Sequence, residues 1–308
     1  MSATCRHALP EFTMKNIRTA SDRALLLAFI LGVGATLLLI LVPVLDAIRL
    51  SLHHAESFIS PQTWVGLANY QRILSDPIFW QALRVGVFFA TMAIAGQVLL
   101  GIVFALLLDQ SFPGRPFVRG ITVLPYLLPT VVVTVIFQWL LDGSLGLFTV
   151  WAEQAGFGRP AWFENPYSAM FILIVVSVWT WTPFVTVCFL AALQTVPKSL
   201  YEAARVDGAG VWMRFWHITI PMLAPMLTVT VLLRSIWMFN KFDVVWLLTK
   251  GGPLSATEHL PVLAYRRAFS QFDVGGGATV ATLSFLILTV LIFVYFHYFP
   301  LEEKGATT

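Results

Sequence analysis

A charge inside an apolar stretch is costly and marks function by default. Arg234 lies well within the apolar run of about Met222 to Leu248, with Lys241 and Asp243 nearer its end. Arg234, Trp237 or Met238, and Lys241 recur at i, i+3/i+4 and i+7, the spacing that shares one helical face. In the run of about Ala169 to Gln194, Ser177, Trp181 and Phe184 recur in the same way, and Pro183 predicts a kink. The chemistry these residues offer is binding. Aromatic rings stack on the apolar faces of sugars, polar groups hold hydroxyls, and arginine grips a phosphate, sulfonate or carboxylate through two parallel hydrogen bonds. Two other readings of Arg234 stay open: pairing with an acid on another chain, and snorkelling to an interface. No nucleophile–base set is visible. His53, His54, His217, His259 and His297 have neither ligand spacing nor an acidic partner, so no metal site is expected. Cys5 in a polar tail and Cys188 in an apolar run are not expected to pair. There is no Gly-x-x-x-x-Gly-Lys-Ser/Thr loop, so any ATP used is bound by another chain.

A second constellation lies between two apolar runs, from Pro197 to Pro221. It reads as two short helices and a bend. Ser199 and Glu202 have capping-box spacing, Ala203 and Ala204 are strong helix formers, and Gly208 can take the left-handed conformation that ends a helix. Trp212, Phe215 and Trp216 fall at i, i+3 and i+4, on one side of the second helix. Pro221 is suited to the first turn of the apolar run that follows. Glu202 is either a capping carboxylate or a contact to a partner, and the two roles are compatible.

The elements holding these residues are read from hydropathy. The chain has 308 residues, 58% hydrophobic and only 11% charged, where soluble domains run near 25% charged. Lipid must therefore cover much of it. A net charge of +3, spread along the chain, gives no basic patch for nucleic acid. Six stretches reach the roughly 20 apolar residues a spanning helix needs: about 24–50, 83–108, 118–141, 169–194, 222–248 and 278–299. The expected fold is an all-α membrane protein with six transmembrane helices. Tails at 1–23 and 301–308 flank a membrane-spanning domain at 24–300, and a helix–turn–helix loop occupies 195–221. The first span is read as retained, because the tail before Ala24 is long and the run after it exceeds a signal-peptide core. Lys and Arg favour the cytoplasmic side. An N-in, C-in arrangement puts Arg6, Lys15, Arg18, Arg23, Arg115, Arg119, Lys198, Arg205, Arg214 and Lys304 inside, against Arg72, Arg159, Lys250, Arg266 and Arg267 outside, with Arg49 and Arg84 at outward-facing span ends narrowing the margin without reversing it. The outer segments 51–82 and 142–168 are rich in Trp and Tyr, read as interfacial anchors or as a docking surface.

Glu202-Ala203-Ala204, Gly208, Ile218, Ile220 and Pro221 resemble the EAA signature of binding-protein-dependent ABC importer permeases, with Ile220 where leucine is usual. Asn240 to Pro253, Tyr265, Ala268-Phe269 and the glycine-rich start at Gly275 resemble the maltose-transporter-like first permease of carbohydrate importers. The resemblance covers most of the chain from the second span onward. It implies that the 195–221 loop docks in a cytoplasmic ATPase, through Glu202, Ala203, Ala204, Asp207, Gly208, Ile218 and Pro221. It implies sugar contacts at Ser177, Trp181, Phe184, Arg234, Trp237 and Met238, with Lys241 beside them. The implied partners are a second homologous permease, an ATPase pair that binds ATP and Mg, an extracytoplasmic solute-binding protein and a sugar-like solute. The implied location is the bacterial inner membrane, and no catalysis is expected in this chain. The alternative, a secondary carrier driven by an ion gradient, would call for inverted repeats and broken helices in both halves and leaves the Glu202 turn unexplained.

Overall fold

A computed structural model describes residues 20–299, so both expected tails lie largely outside the described residues. Thirteen helices occur among them. In chain order they are α1 (Ala20–Ser51), α2 (Ala68–Leu74), α3 (Pro77–Asp109), α4 (Arg115–Leu127), α5 (Thr130–Leu140), α6 (Leu147–Gln154), α7 (Pro166–Thr195), α8 (Lys198–Val206), α9 (Val211–Arg214), α10 (Ile220–Phe239), α11 (Phe242–Thr249), α12 (Leu260–Tyr265) and α13 (Val274–Tyr298). π-helical turns over Phe215–Thr219 and Arg266–Ser270 follow α9 and α12. A two-residue antiparallel ribbon pairs His53–His54 with Thr63–Trp64, a small exception to an all-helical fold.

The chain divides into a unit ending at Arg49 and a unit from Leu50 onward. The first is described as one continuous apolar helix, most of whose side chains from Ala24 on are exposed. Backbone hydrogen bonds close within a helix, and lipid suits such side chains. In the second unit, α3 and α7 pack most intimately. A Cβ on Gly96 would come within 2.7 Å of Val178 Cγ2, and one on Gly101 within 2.6 Å of Val185 Cγ1. These two glycines let the helices approach where any side chain would hold them apart. Local grammar sets the starts. Asp76 and Asn165 each cap a helix whose first residue is proline, accepting from Ile78 N at 2.9 Å and Tyr167 N at 2.8 Å.

Five helical segments are long and apolar enough to cross a membrane among the described residues, and six if one bent pair is a single span. That pair is α4 and α5, which meet at 93° where one straight helix was expected over 118–141. The cause is local. Leu128, ahead of Pro129, is extended (φ −76°, ψ 134°), as the residue before a proline is driven to be. The stretch expected over 222–248 also breaks. α10 ends at Phe239, and α11 restarts at Phe242 after Lys241 takes a non-helical conformation.

Candidate functional site

α7, α10 and the α10–α11 break converge with α4 on a cavity of about 200 Å³. Tyr126, Trp181, Arg234, Trp237, Met238 and Lys241 line it. A second open pocket of about 410 Å³ shares Trp237 and Lys241 with it. Arg234 is only 2% exposed. Its guanidinium carbon stands 5.6 Å from the ring centroids of both Trp181 and Trp237. Lys241 Nζ lies 4.1 Å from the centroid of Trp181 and 3.0 Å from Asp243 Oδ2. Two cations thus share one indole, each in the range where the ring quadrupole attracts a positive charge.

Of the seven residues expected along a solute path, five line this cavity: Trp181, Arg234, Trp237, Met238 and Lys241. Lys241 does not share a helical face with Arg234, because α10 has already ended, and the break carries it there. Phe184 and Ser177 stand behind the lining. Phe184 meets Trp237 edge-on at 5.4 Å and Tyr126 at 5.9 Å. Ser177 is buried, and its Oγ has no hydrogen-bond partner among the described residues.

Two residues escaped the sequence reading. Tyr126 comes from α4 and supplies a third ring to the lining. Gln97 is fully buried on α3, and its Oε1 accepts from Arg234 Nε at 2.7 Å. Its signal was a lone amide in a long apolar run. Arg234 Nη2 is buried with no hydrogen-bond partner, and no Asp or Glu within 4.0 Å pairs with Arg234 among the described residues.

Beside the cavity, His259 holds the break in place. Its Nε2 donates to the Lys241 carbonyl at 2.9 Å, and its ring meets Phe89 edge-on at 6.1 Å. Burial pushes its pKa down to about 4, so the ring is neutral at pH 7. The neighbouring Glu258 carboxyl is pushed up by burial, against the pull of Ser255, Arg266 and Arg267.

The Pro197–Pro221 segment folds as a helix, a bend and a helix. Gly208 has φ +80°. Ala209 N donates to Ala204 O at 2.8 Å and Gly208 N to Arg205 O at 3.1 Å, the paired bonds of a Schellman end. The expected Ser199–Glu202 capping box does not form. Pro197 occupies the cap, so Ser199 already lies inside the first turn, and no side chain caps the helix. Glu202, Ala203, Asp207 and Gly208 are exposed, Ala204 and Ile218 are half-buried, and Pro221 is exposed in the first turn of α10. Around the bend, Val206, Val211, Trp212, Met213 and Trp216 are 57–88% exposed. Phe215 packs edge-on between Trp212 and Trp216, and Tyr201 Oη meets Thr219 Oγ1 at 3.0 Å, tying α8 to the start of α10.

Long apolar helices thus enclose a cavity lined by aromatic rings and two cations. Residues 97–300 match the family described as the binding-protein-dependent transport system inner membrane component, and the chain belongs to it. It is 36% identical over 259 residues to the trehalose/maltose transport system permease protein MalF of Thermococcus litoralis, covering 84% of this chain and 88% of that one. It is 32% identical over 277 residues to the sulfoquinovosyl glycerol transport system permease protein SmoG of Agrobacterium fabrum, covering 88% and 89%. In fold it is similar to one chain of a bacterial ABC transporter that imports the acidic polysaccharide alginate, with a TM-score of 0.78 at 21% identity over 90% of this chain and 96% of that one. The chain is a non-catalytic, multi-pass inner-membrane subunit of an ABC importer.

Proposed function

We propose that this chain forms half of the membrane pathway of an ATP-driven importer for a sugar or sugar derivative that carries an anionic group. Arg234 supports the charge. A buried guanidinium without a counter-ion is strongly disfavoured, and arginine does not lose its proton in proteins. No Asp or Glu among the described residues balances it, and the free Nη2 in an aromatic cavity suits a solute's carboxylate, sulfonate or phosphate. The relatives named for trehalose/maltose and for sulfoquinovosyl glycerol support a sugar scaffold. A cavity of about 200 Å³ is smaller than the roughly 300–1,000 Å³ of a complete ligand pocket. A second permease would supply the remaining wall.

The topology proposed is six spans, N-in and C-in, with α4 and α5 together as the third. Ten Lys and Arg against five favour it, and it places the α8–α9 turn in the cytoplasm. There, Glu202, Ala203, Ala204, Asp207, Gly208, Ile218 and Pro221 would dock on an ATPase pair that binds ATP and Mg. The exposed apolar side chains around the bend support a protein partner. ATP closes the ATPase pair and draws the two coupling turns together. The cavity then opens toward a docked extracytoplasmic binding protein, and hydrolysis resets it. This chain itself binds no cofactor.

Uptake by the assembled transporter tests the solute. The expected result for Arg234→Ala is a loss of preference for a sugar acid over the corresponding neutral sugar. Unchanged uptake with unchanged preference overturns the anionic reading. Co-purification of the ATPase tests the turn: it should be lost with Glu202→Lys, and full retention overturns coupling through Glu202.

A further inference from the structure

Arginine offers donors only, and Gln97 is the one side chain that hydrogen-bonds Arg234 among the described residues. An amide has two faces, and here its neighbours fix which is which. The oxygen must face the guanidinium, where it accepts from Nε at 2.7 Å. The nitrogen then donates to the Ser177 carbonyl at 3.3 Å and contacts Met238 Sδ at 3.2 Å. Both ends are satisfied in a site with no solvent exposure at Gln97. The flanking Gly96 and Gly101 allow this, since they bring α3 close enough to α7 for the amide to reach the Ser177 backbone.

What matters is the residue type. A glutamate at position 97 would hold Arg234 equally well and would cancel its charge. The amide holds it and leaves the charge in place. With Nε occupied by Gln97, the free N–H groups are those on the terminal nitrogens of a side chain lining the cavity between Trp181 and Trp237.

We propose that Gln97 is a positioning and specificity-determining residue: it fixes the plane of the Arg234 guanidinium without neutralising it, and so sets the importer's preference for anionic over neutral sugars. This rests on the anionic-solute reading above. Gln97 touches no solute itself and acts through Arg234.

The test measures uptake by the assembled transporter in vesicles, with a uronic-acid disaccharide and the neutral disaccharide of the same linkage as probes. The readout is the ratio of the two uptake efficiencies, because a purely structural defect lowers both alike. Gln97→Glu pairs with Arg234 internally, and the ratio should fall about 10- to 100-fold, the worth of one or two charge-assisted hydrogen bonds. Gln97→Met keeps the volume but frees the guanidinium, and should raise KM for the acidic probe about 10-fold with a smaller change in turnover at saturation. If Arg234→Gln shifts the ratio and both Gln97 variants keep the wild-type value, Gln97 has no such role, though the anionic reading stands. If Arg234→Gln leaves the ratio unchanged, the anionic reading fails and this proposal fails with it. Loss of assembly in both Gln97 variants, judged by ATPase co-purification, also overturns it in favour of a purely structural amide.

Discussion

His259 offers a titration that the described residues make quantitative. Its Nε2–H donates to the Lys241 carbonyl at 2.9 Å, and its Nδ1 is buried with no partner. Protonation would place a second N–H on Nδ1 with no acceptor, inside a packed site against Phe89. Burial is the main cause of its depressed pKa, opposed by the Lys241 carbonyl, and carries it from 6.5 down to about 4. The sign follows from proton counting. Above about pH 6.5 the ring is neutral in both folded and unfolded chains, and the full stability is present. As pH falls toward 4, the unfolded chain takes up a proton that the folded chain refuses, so stability is lost through that window and levels off below it. The loss is about 2 kcal/mol between about pH 8 and pH 5, and about 3 kcal/mol by about pH 3.

The assay is thermal unfolding of the detergent-solubilised protein at about pH 8 and about pH 5, with His259→Gln as reference. Glutamine keeps a donor for the Lys241 carbonyl and does not titrate. Wild type should lose roughly 4–8 °C of Tm more than the variant does on acidification. Glu258, Arg266 and Arg267 stay present in both proteins, so their titration cancels in the comparison. An equal loss in wild type and His259→Gln would refute the assignment of a buried neutral imidazole.

Three further outcomes follow from the geometry. Gly101→Val should lower thermal stability by about 1–3 kcal/mol, since even a Cβ would meet Val185 Cγ1 at 2.6 Å and the Thr186 amide at 3.4 Å; a Tm equal to wild type would show that α3 and α7 can part freely. Gly208→Val should weaken ATPase co-purification, with Gly208→Asn milder. A Cβ there meets no atom within 4 Å, so the cost is the +80° φ alone. Equal retention of the ATPase by both variants would remove the conformational argument. Asp273 joins α13 to Arg72 at 3.0 Å and Arg267 at 3.6 Å. Burial raises its pKa, but the Arg72 hydrogen bond, the Gly276 N–H and the two arginine charges together hold it below the ordinary value of 3.8. Its stabilisation is therefore present above about pH 4 and lost below. Asp273→Asn should destabilise the protein at pH 7 and flatten that acid limb, as read by Tm against pH.

Hydropathy made the long helices legible, because an unbroken apolar run leaves a chain little alternative to a helix in lipid. It failed at the breaks for the same reason. A window of about 20 residues averages over Pro125 and Pro129, which turn α4 against α5, and over Asn240 and Lys241, which end α10. Lys241 reaches the cavity by that break, although a seven-residue spacing had suggested a shared helical face. The Ser199–Glu202 spacing matched a capping box, yet Pro197, with its fixed φ, starts the helix two residues earlier. Charged residues stood out in the apolar runs, so Arg234 was found. Gln97 was not, because an amide carries no charge to mark it and its role depends on a partner 137 positions away.

The same continuity that hydropathy reads along the chain offers a route from the proposed coupling turn to the cavity. From Val211 to Phe239 the backbone is helical throughout, through a π-helical turn and two prolines, Pro221 and Pro225. At about 1.5 Å per residue that is roughly 40 Å, the thickness of a membrane with its headgroups. The bend at Gly208 precedes one end, and Trp237 and Met238 stand at the other. A helix cannot shorten without breaking hydrogen bonds, so a push on the turn moves Arg234, Trp237 and Met238 together. The α3–α7 pair, locked at Gly96 and Gly101, carries Gln97 and Trp181 on the other side of the site. Sliding α10 against that pair would stretch the 2.7 Å bond between Gln97 and Arg234. In the proposed cycle, that bond is where ATP-driven motion would change the grip on the solute. Gln97→Met should therefore alter the coupling of ATP hydrolysis to uptake as well as the affinity, and an unchanged ratio of ATP hydrolysed to solute moved would place the hinge elsewhere.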